Sequence, residues 1–412
     1  MTRKHLHARS EIRNESKKDI DQDPLFTACR ETLAYAHERD YTGWDYADGL
    51  SSDLLARSPV QHKWLNLAVQ EGIKRAPINL RPLFLVEQRR NYKGAALFVM
   101  TNLDAYALTG EDHYAREASK LADWLSETRV ETFSGFCGGG HRHPIQKLGE
   151  TSPELPGETS GVVSTAYAVQ ALLRYADTFD KPEYAELVRS APDFVFEDLQ
   201  YTEIEEGARI NYTPGDTDAY TINANAVGAR LFVELYDRFG DQRLLDAATA
   251  IMDYVAAKQT ALGGWMYMDP PTASHLSMDN HHNGFIVDSF LRYREVTGED
   301  RYDATIDRAM AFYRDELFET DGAPNWDESS SYPRDVHAAA TGIVVFTEAG
   351  DLDFARRIAE WTLDSLYAGN GRFYYRKQRF YTKRFTLMRW CQAWMAYALS
   401  TYLTATDTAR SH

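Results

Sequence analysis

The chain has 412 residues, 44% of them hydrophobic and 13% aromatic, enough apolar material for a large buried core. A formal net charge of -16 repels phosphate backbones and anionic lipid surfaces, so nucleic acid is excluded as a partner and membrane insertion is not expected. Arginine far outnumbers lysine beside 61 acidic residues, a balance that resembles proteins of salt-loving organisms.

Residues 1–21 carry charges of both signs and no apolar run, which predicts a disordered tail ahead of one domain over 22–412. Cys29, Cys137 and Cys391 are odd in number and far apart, so no disulfide framework is expected and a reducing cytoplasm fits. From residue 24 onward the 3.6-residue period predicts helices over 24–40, 62–73, 93–109, 112–129, 161–178, 182–198, 221–239, 241–259, 282–297, 300–317, 336–349, 352–367 and 384–403. Short strands are expected only at 208–212, 264–267 and 371–376.

One phrase recurs at the turns. Tyr106 to Tyr114, Tyr236 to Leu244, Tyr293 to Tyr302 and Phe346 to Phe354 each place Gly and then an acidic residue between two helices, with a weaker copy from Tyr175 to Tyr184. The Gly suits a left-handed C-cap and the acid suits the next N-terminus, so the phrase marks helical hairpins. Opening helices start with small and polar residues, whereas following helices carry an ordinary amphipathic stripe. Six openings begin near 93, 161, 221, 282, 336 and 384. The last has no successor, and an N-terminal helix in that twelfth place would close an (α/α)6 toroid; an open α-solenoid is the competing arrangement.

Turns within hairpins are short and connections between them are long, which puts the chemistry on the long ones. The first holds Trp44, Asp45, Tyr46 and Asp48, carboxylates for acid/base work among rings that stack on sugars; its plain alternative is a capped turn. The next joins Cys137 and three glycines to His141, Arg142 and His143, a candidate anion grip whose spacing matches no zinc signature. Glu158 precedes the following helix as a cap or a mouth residue. Tyr212, Tyr220 and Asn223 are candidate ligand contacts around a cap at Asp218, and Trp265 and Tyr267 lie on the next connection.

The densest cluster is Asp279, Asn280, His281, His282 and Asn283 at a helix start, where a His beside a carboxylate exchanges protons near neutral pH. Trp326, Asp335 and His337 repeat the theme, with Asp335 readable as only a cap. Tyr374, Tyr375 and Arg376, then Tyr381 and Lys383, form an aromatic and basic stretch before Arg389 and Trp390. Local positive charge in a negative protein points to a carboxylate-bearing or phosphorylated substrate, unless these arginines pair with the chain's own acids.

The hairpins over 93–403, with Met388-Arg-Trp-Cys-Gln-Ala-Trp394 in the last helix, resemble the six-hairpin toroid superfamily of carbohydrate-active proteins. That resemblance implies an all-α (α/α)6 barrel and an enzyme acting on a glycan, with a uronate-containing substrate expected. In a glycoside hydrolase, Asp279 with Asp45 or Asp48 would be acid and base beside His281 and His282. In a uronate epimerase or lyase, His282 or Tyr220 would take a proton next to a carboxylate held by Arg142 or Arg389. A noncatalytic toroid binding a glycan or a protein is a further alternative. Terpene cyclases share the barrel, but their aspartate-rich motifs are absent here. No nucleotide motif or zinc set is found, so neither cofactor nor metal is expected.

Overall fold

The structure is a computed structural model and describes residues 22–58, 62–140, 142–155 and 160–411. His141, Glu158 and the expected tail over 1–21 lie outside the described residues. The principal helices in chain order are α1 (Pro24–His37), α2 (Lys63–Arg75), α3 (Tyr92–Thr109), α4 (Asp112–Glu127), α5 (Val162–Phe179), α6 (Pro182–Val188) and α7 (Ile222–Phe239). They continue with α8 (Gln242–Ala257), α9 (Asn280–Thr297), α10 (Asp303–Asp315), α11 (Val336–Glu348), α12 (Leu352–Leu366) and α13 (Trp394–Ser411).

Helices α3, α5, α7, α9, α11 and α13 pack each on the next, and α13 returns to α3, which closes the ring. Outside it, α4, α6, α8, α10 and α12 each cover their hairpin partner, and α1 covers α13. The fold is therefore an (α/α)6 toroid, and the closure of α13 on α3 excludes the open solenoid. Sequence explains the two rings. Inner helix α11 is buried from Val336 to Thr347, whereas outer helix α4 buries a stripe of Tyr114, Ala118, Leu121, Ala122 and Leu125 and leaves its charges in water.

The hairpin turns follow the local chemistry. Gly110, Gly240 and Gly298 end α3, α7 and α9 at φ of 73°, 69° and 68°, and Asp180 takes the same left-handed place after α5 at 53°. Asp241 and Asp351 then cap the next helices, accepting from the backbone N–H of Arg243 and Phe354, each at 3.1 Å.

Three expectations shift. The helix expected over 182–198 breaks after Val188, where Pro192 supplies no N–H, and a wide turn from Phe194 to Asp198 completes the outer position. The last inner helix does not start at 384. Thr382–Lys383 is a strand, and helical winding begins with a π turn over Met388–Ala393, in which the N–H groups of Cys391 and Gln392 both reach the Leu387 carbonyl, at 2.9 and 3.3 Å. The strands are also displaced. Tyr220 pairs with Asp269, and Arg376–Lys377 lies between Arg334–Asp335 and Thr382–Lys383, all antiparallel. These short ladders tie the long connections together at one end of the barrel.

Candidate active site

The inner helices all begin at that end, around a cavity of about 950 Å³. The second residue of each inner segment faces it: Lys93 of α3, Val163 of α5, Asn223 of α7, His281 of α9, His337 of α11 and Arg389 of the π turn ahead of α13. The positive ends of the helix dipoles therefore converge on one space, which favours a negative group there.

Two aspartates organise the histidines from behind. Asp279 caps α9, accepting from the His282 N–H at 3.3 Å, and its two oxygens lie 3.2 Å from His281 Nδ1 and 2.8 Å from His282 Nδ1. Asp279 thereby holds both rings through Nδ1, and both residues line the cavity. Asp335 caps α11 through the His337 N–H at 2.8 Å, accepts from Trp390 Nε1 at 2.8 Å and binds Arg376. Asp335 is thus the cap that the sequence offered, Asp279 is a cap as well, and each also positions side chains of the cavity wall.

His337 is 1% exposed and stacks on His281 with ring centres 4.8 Å apart. Neither of its nitrogens has a hydrogen-bond partner among the described residues, nor does Asn223 Oδ1 or the indole N–H of Trp394. Burial, with Lys93 and Arg389 nearby, holds the His337 imidazole well below its ordinary pKa, and burial with its two neighbouring histidines does the same to His281. Both rings are neutral at pH 7. Lys93 is pushed down to about 7, by burial first and then by Arg389.

Rings complete the wall. Tyr46 stacks on Trp390 with centres 4.8 Å apart, Tyr267 lies 4.6 Å from His282, and the Arg376 guanidinium sits 4.8 Å over Trp326. Lining cations are Lys74, Arg75, Lys93, Lys147, Arg376, Lys383 and Arg389; among the described residues the only lining carboxylate is Glu154, which pairs with Lys147 at 2.8 Å.

Of the residues singled out from sequence, the structure brings Tyr46, Tyr212, Asn223, Tyr267, His281, His282, Trp326, His337, Arg389 and Trp390 to this cavity. It leaves others elsewhere. Asp45 lies behind the wall against Arg389 Nε at 2.8 Å and Asn91 Nδ2 at 2.9 Å. Asp48 is buried against Arg81 Nε at 2.7 Å, and burial raises it to about 6 although Arg81 pulls the other way. Trp44 donates to the Val86 carbonyl, and Trp265, 1% exposed, donates to the Val255 carbonyl. Tyr220 lies beneath the Arg209 guanidinium, and Tyr374 packs on the core. Arg142 lies 5.5 Å from the Trp124 ring centre; with the buried His143 it borders a separate crevice shared by Asp45 and Asp48. Lys93 is the notable addition. Its signal was its register, one residue into an opening helix, as with Asn223, His281 and His337.

The three cysteines are buried and unpaired. Among the described residues no helix is long and apolar enough to cross a membrane.

No family model matches the chain, and no curated protein matches it in sequence. Solved structures that share its (α/α)6 fold include enzymes whose names give them activity on carbohydrates. A GH76 α-mannanase of Bacteroides thetaiotaomicron is similar at TM-score 0.60 and 14% identity, covering 96% of this chain and 99% of its own. Cellobiose 2-epimerase of Bacillus thermoamylovorans is similar at TM-score 0.62 and 14% identity, with 78% and 88% covered. An unsaturated glucuronyl hydrolase specific for heparin is similar at 0.60 and 12%, with 97% and 98% covered.

Proposed function

We propose that the chain is a carbohydrate-active enzyme that moves a proton to and from carbon, an epimerase or isomerase of an acidic sugar. The carrying observation is His337, a neutral buried imidazole with two unbonded nitrogens at a cavity of about 950 Å³, stacked on a second neutral imidazole held by Asp279. Neutral imidazoles take protons from carbon acids next to a carbonyl or carboxylate, and the imidazolium so formed returns the proton to carbon. The cationic lining and the converging helix starts support a uronate substrate, and Tyr46, Trp390 and Trp326 offer faces for its rings.

A two-carboxylate glycoside hydrolase is less well supported. Such an enzyme needs paired carboxyl groups facing the scissile bond. Here Asp45 and Asp48 are engaged by arginines behind the wall, and Asp279 is engaged by two histidines. The buried thiols favour a reducing cytoplasm as the place of action.

The test is incubation of the purified protein with D-glucuronate, D-galacturonate and uronate oligosaccharides in heavy water, read by proton NMR and mass. Deuterium at a carbon next to the carbonyl or carboxylate, without cleavage, is expected. New reducing ends without exchange at carbon would overturn the reading in favour of hydrolysis.

A further inference from the structure

Lys93 is not accounted for by proton transfer between histidines. It is the second residue of α3, and its side chain borders the cavity. The other lining cations are engaged: Arg376 is held by Asp335, Arg389 by Asp45 and Lys147 by Glu154, and Lys383 donates to the carbonyls of Lys74 and Arg75 at 3.4 and 3.0 Å. Lys93 Nζ makes no hydrogen bond or ion pair among the described residues. Instead it lies 5.9 Å from the Phe285 ring centre and 5.7 Å from that of Trp394. His337 packs on the same two rings, 5.8 and 4.5 Å away between centres, so amine and imidazole share one wall.

We propose that Lys93 is a reacting amine, which binds the open-chain carbonyl of the sugar as an imine beside His337. The inference rests on the reading of the cavity as a sugar site. An amine among rings, with no carboxylate in hydrogen-bond contact and close to Arg389, is poorly solvated as an ammonium; although Asp45 pulls the other way, part of its population is the free base at neutral pH. Burial and a cationic neighbour are two of the recognised ways of making a lysine nucleophilic.

The chemistry balances without an oxidant or reductant. The nitrogen lone pair adds to the carbonyl carbon, the carbonyl oxygen leaves as water, and one proton from solvent leaves the imine cationic. The adjacent C–H gives its proton to the imidazole, and the bonding pair becomes the C=C of an enamine. A proton returned to carbon and one water added to the imine release the sugar and restore the amine.

The experiment uses the full chain with D-glucuronate and cyanoborohydride, which reduces imines in place, followed by peptide mass mapping between about pH 6 and 9. Deuterium exchange is measured in parallel on wild type, K93R and K93M. The expected result is an adduct of the sugar less one oxygen on Lys93, formed faster than on surface lysines and rising through neutral pH. Both variants should lose the adduct and at least ~100-fold of the exchange rate, the lower end for one positioned catalytic group, while circular dichroism reports an intact fold. Exchange in wild type with no preferential adduct at Lys93 would overturn the imine, leave the sugar reading standing and assign Lys93 to holding the carboxylate as an ammonium. An adduct without exchange would support the amine and sink the proposed reaction. Neither adduct nor exchange would sink both.

Discussion

The two nitrogens of His337 sit in a wall of rings with no partner among the described residues, an arrangement that burial makes unfavourable unless a ligand completes it. Its stability consequence has a definite sign. The folded-state pKa is held well below the unfolded value of about 6.5, so on acidification the unfolded chain takes up this proton first. Stability is full above about pH 7 and is lost as pH falls through that value toward the folded pKa. Asp48 opposes this, because its raised pKa of about 6 lets the folded chain take up a proton in the same window. The comparison with H337N cancels the groups that His337 leaves alone and keeps its own titration together with the part of the His281 shift that it causes, which has the same sign. Urea unfolding at about pH 7 and about pH 5 should find wild type losing up to ~2 kcal/mol more than H337N over that interval; equal losses would mean that His337 titrates normally. On the proposed reading Asp279 acts through the histidines rather than on the sugar, so D279N should keep its cap and its fold. Exchange kinetics should then show kcat lowered roughly tenfold or more with KM little changed, whereas a KM effect alone would make Asp279 a binding residue.

Between elements, glycines on the inner helices let neighbouring side chains seat closely. A methyl group on Gly284 of α9 would collide with the Thr341 side chain of α11 and meet the Tyr313 ring 3.1 Å away. G284A should therefore cost ~1–3 kcal/mol, read as a lower urea midpoint at unchanged slope; an unchanged midpoint would mean that the helices separate freely. The cap chemistry of these elements was legible in sequence, since Gly and then Asp acts on the two residues beside it. So were the polar starts of α7, α9 and α11, because Asn223, His281 and His337 interrupt otherwise apolar helices. The π turn was not legible. Its residues are bound from far along the chain, Arg389 by Asp45 and Trp390 by Asp335, and no local pattern carries that pull. Lys93 was missed for the opposite reason. A lysine beside Gly94 reads as a solvated side chain until the register of the other inner helices is laid over it. Asp45 and Asp48 looked like catalytic carboxylates because sequence cannot tell a carboxylate facing a cavity from one facing Arg389 or Arg81 behind it.

Across the whole molecule, charge is sorted along the barrel. Away from the cavity, buried charges are satisfied by neighbouring helices: Asp104 of α3 accepts from Ser400 of α13 at 2.7 Å and binds Arg174 of α5, and Glu234 of α7 binds Arg292 of α9 at 2.9 Å. At the cavity end, polar groups are left open and cations outnumber acids, although the chain as a whole carries -16. The two distributions respond to salt in opposite directions. Outside, like charges repel and screening relieves the repulsion, so the thermal midpoint should rise by a few degrees between low and molar KCl. Inside, the attraction that the proposed reading expects between the cationic wall and a uronate is screened over the approach path, so calorimetric binding of D-glucuronate should weaken roughly 3- to 10-fold over the same range. D-glucose, uncharged and of similar size, is the control. Equal salt dependence for both sugars would mean that the cations serve only their own aspartates, and a midpoint that falls with salt would mean that specific ion pairs, such as Arg301 with Asp253 at 2.7 Å, outweigh the net repulsion.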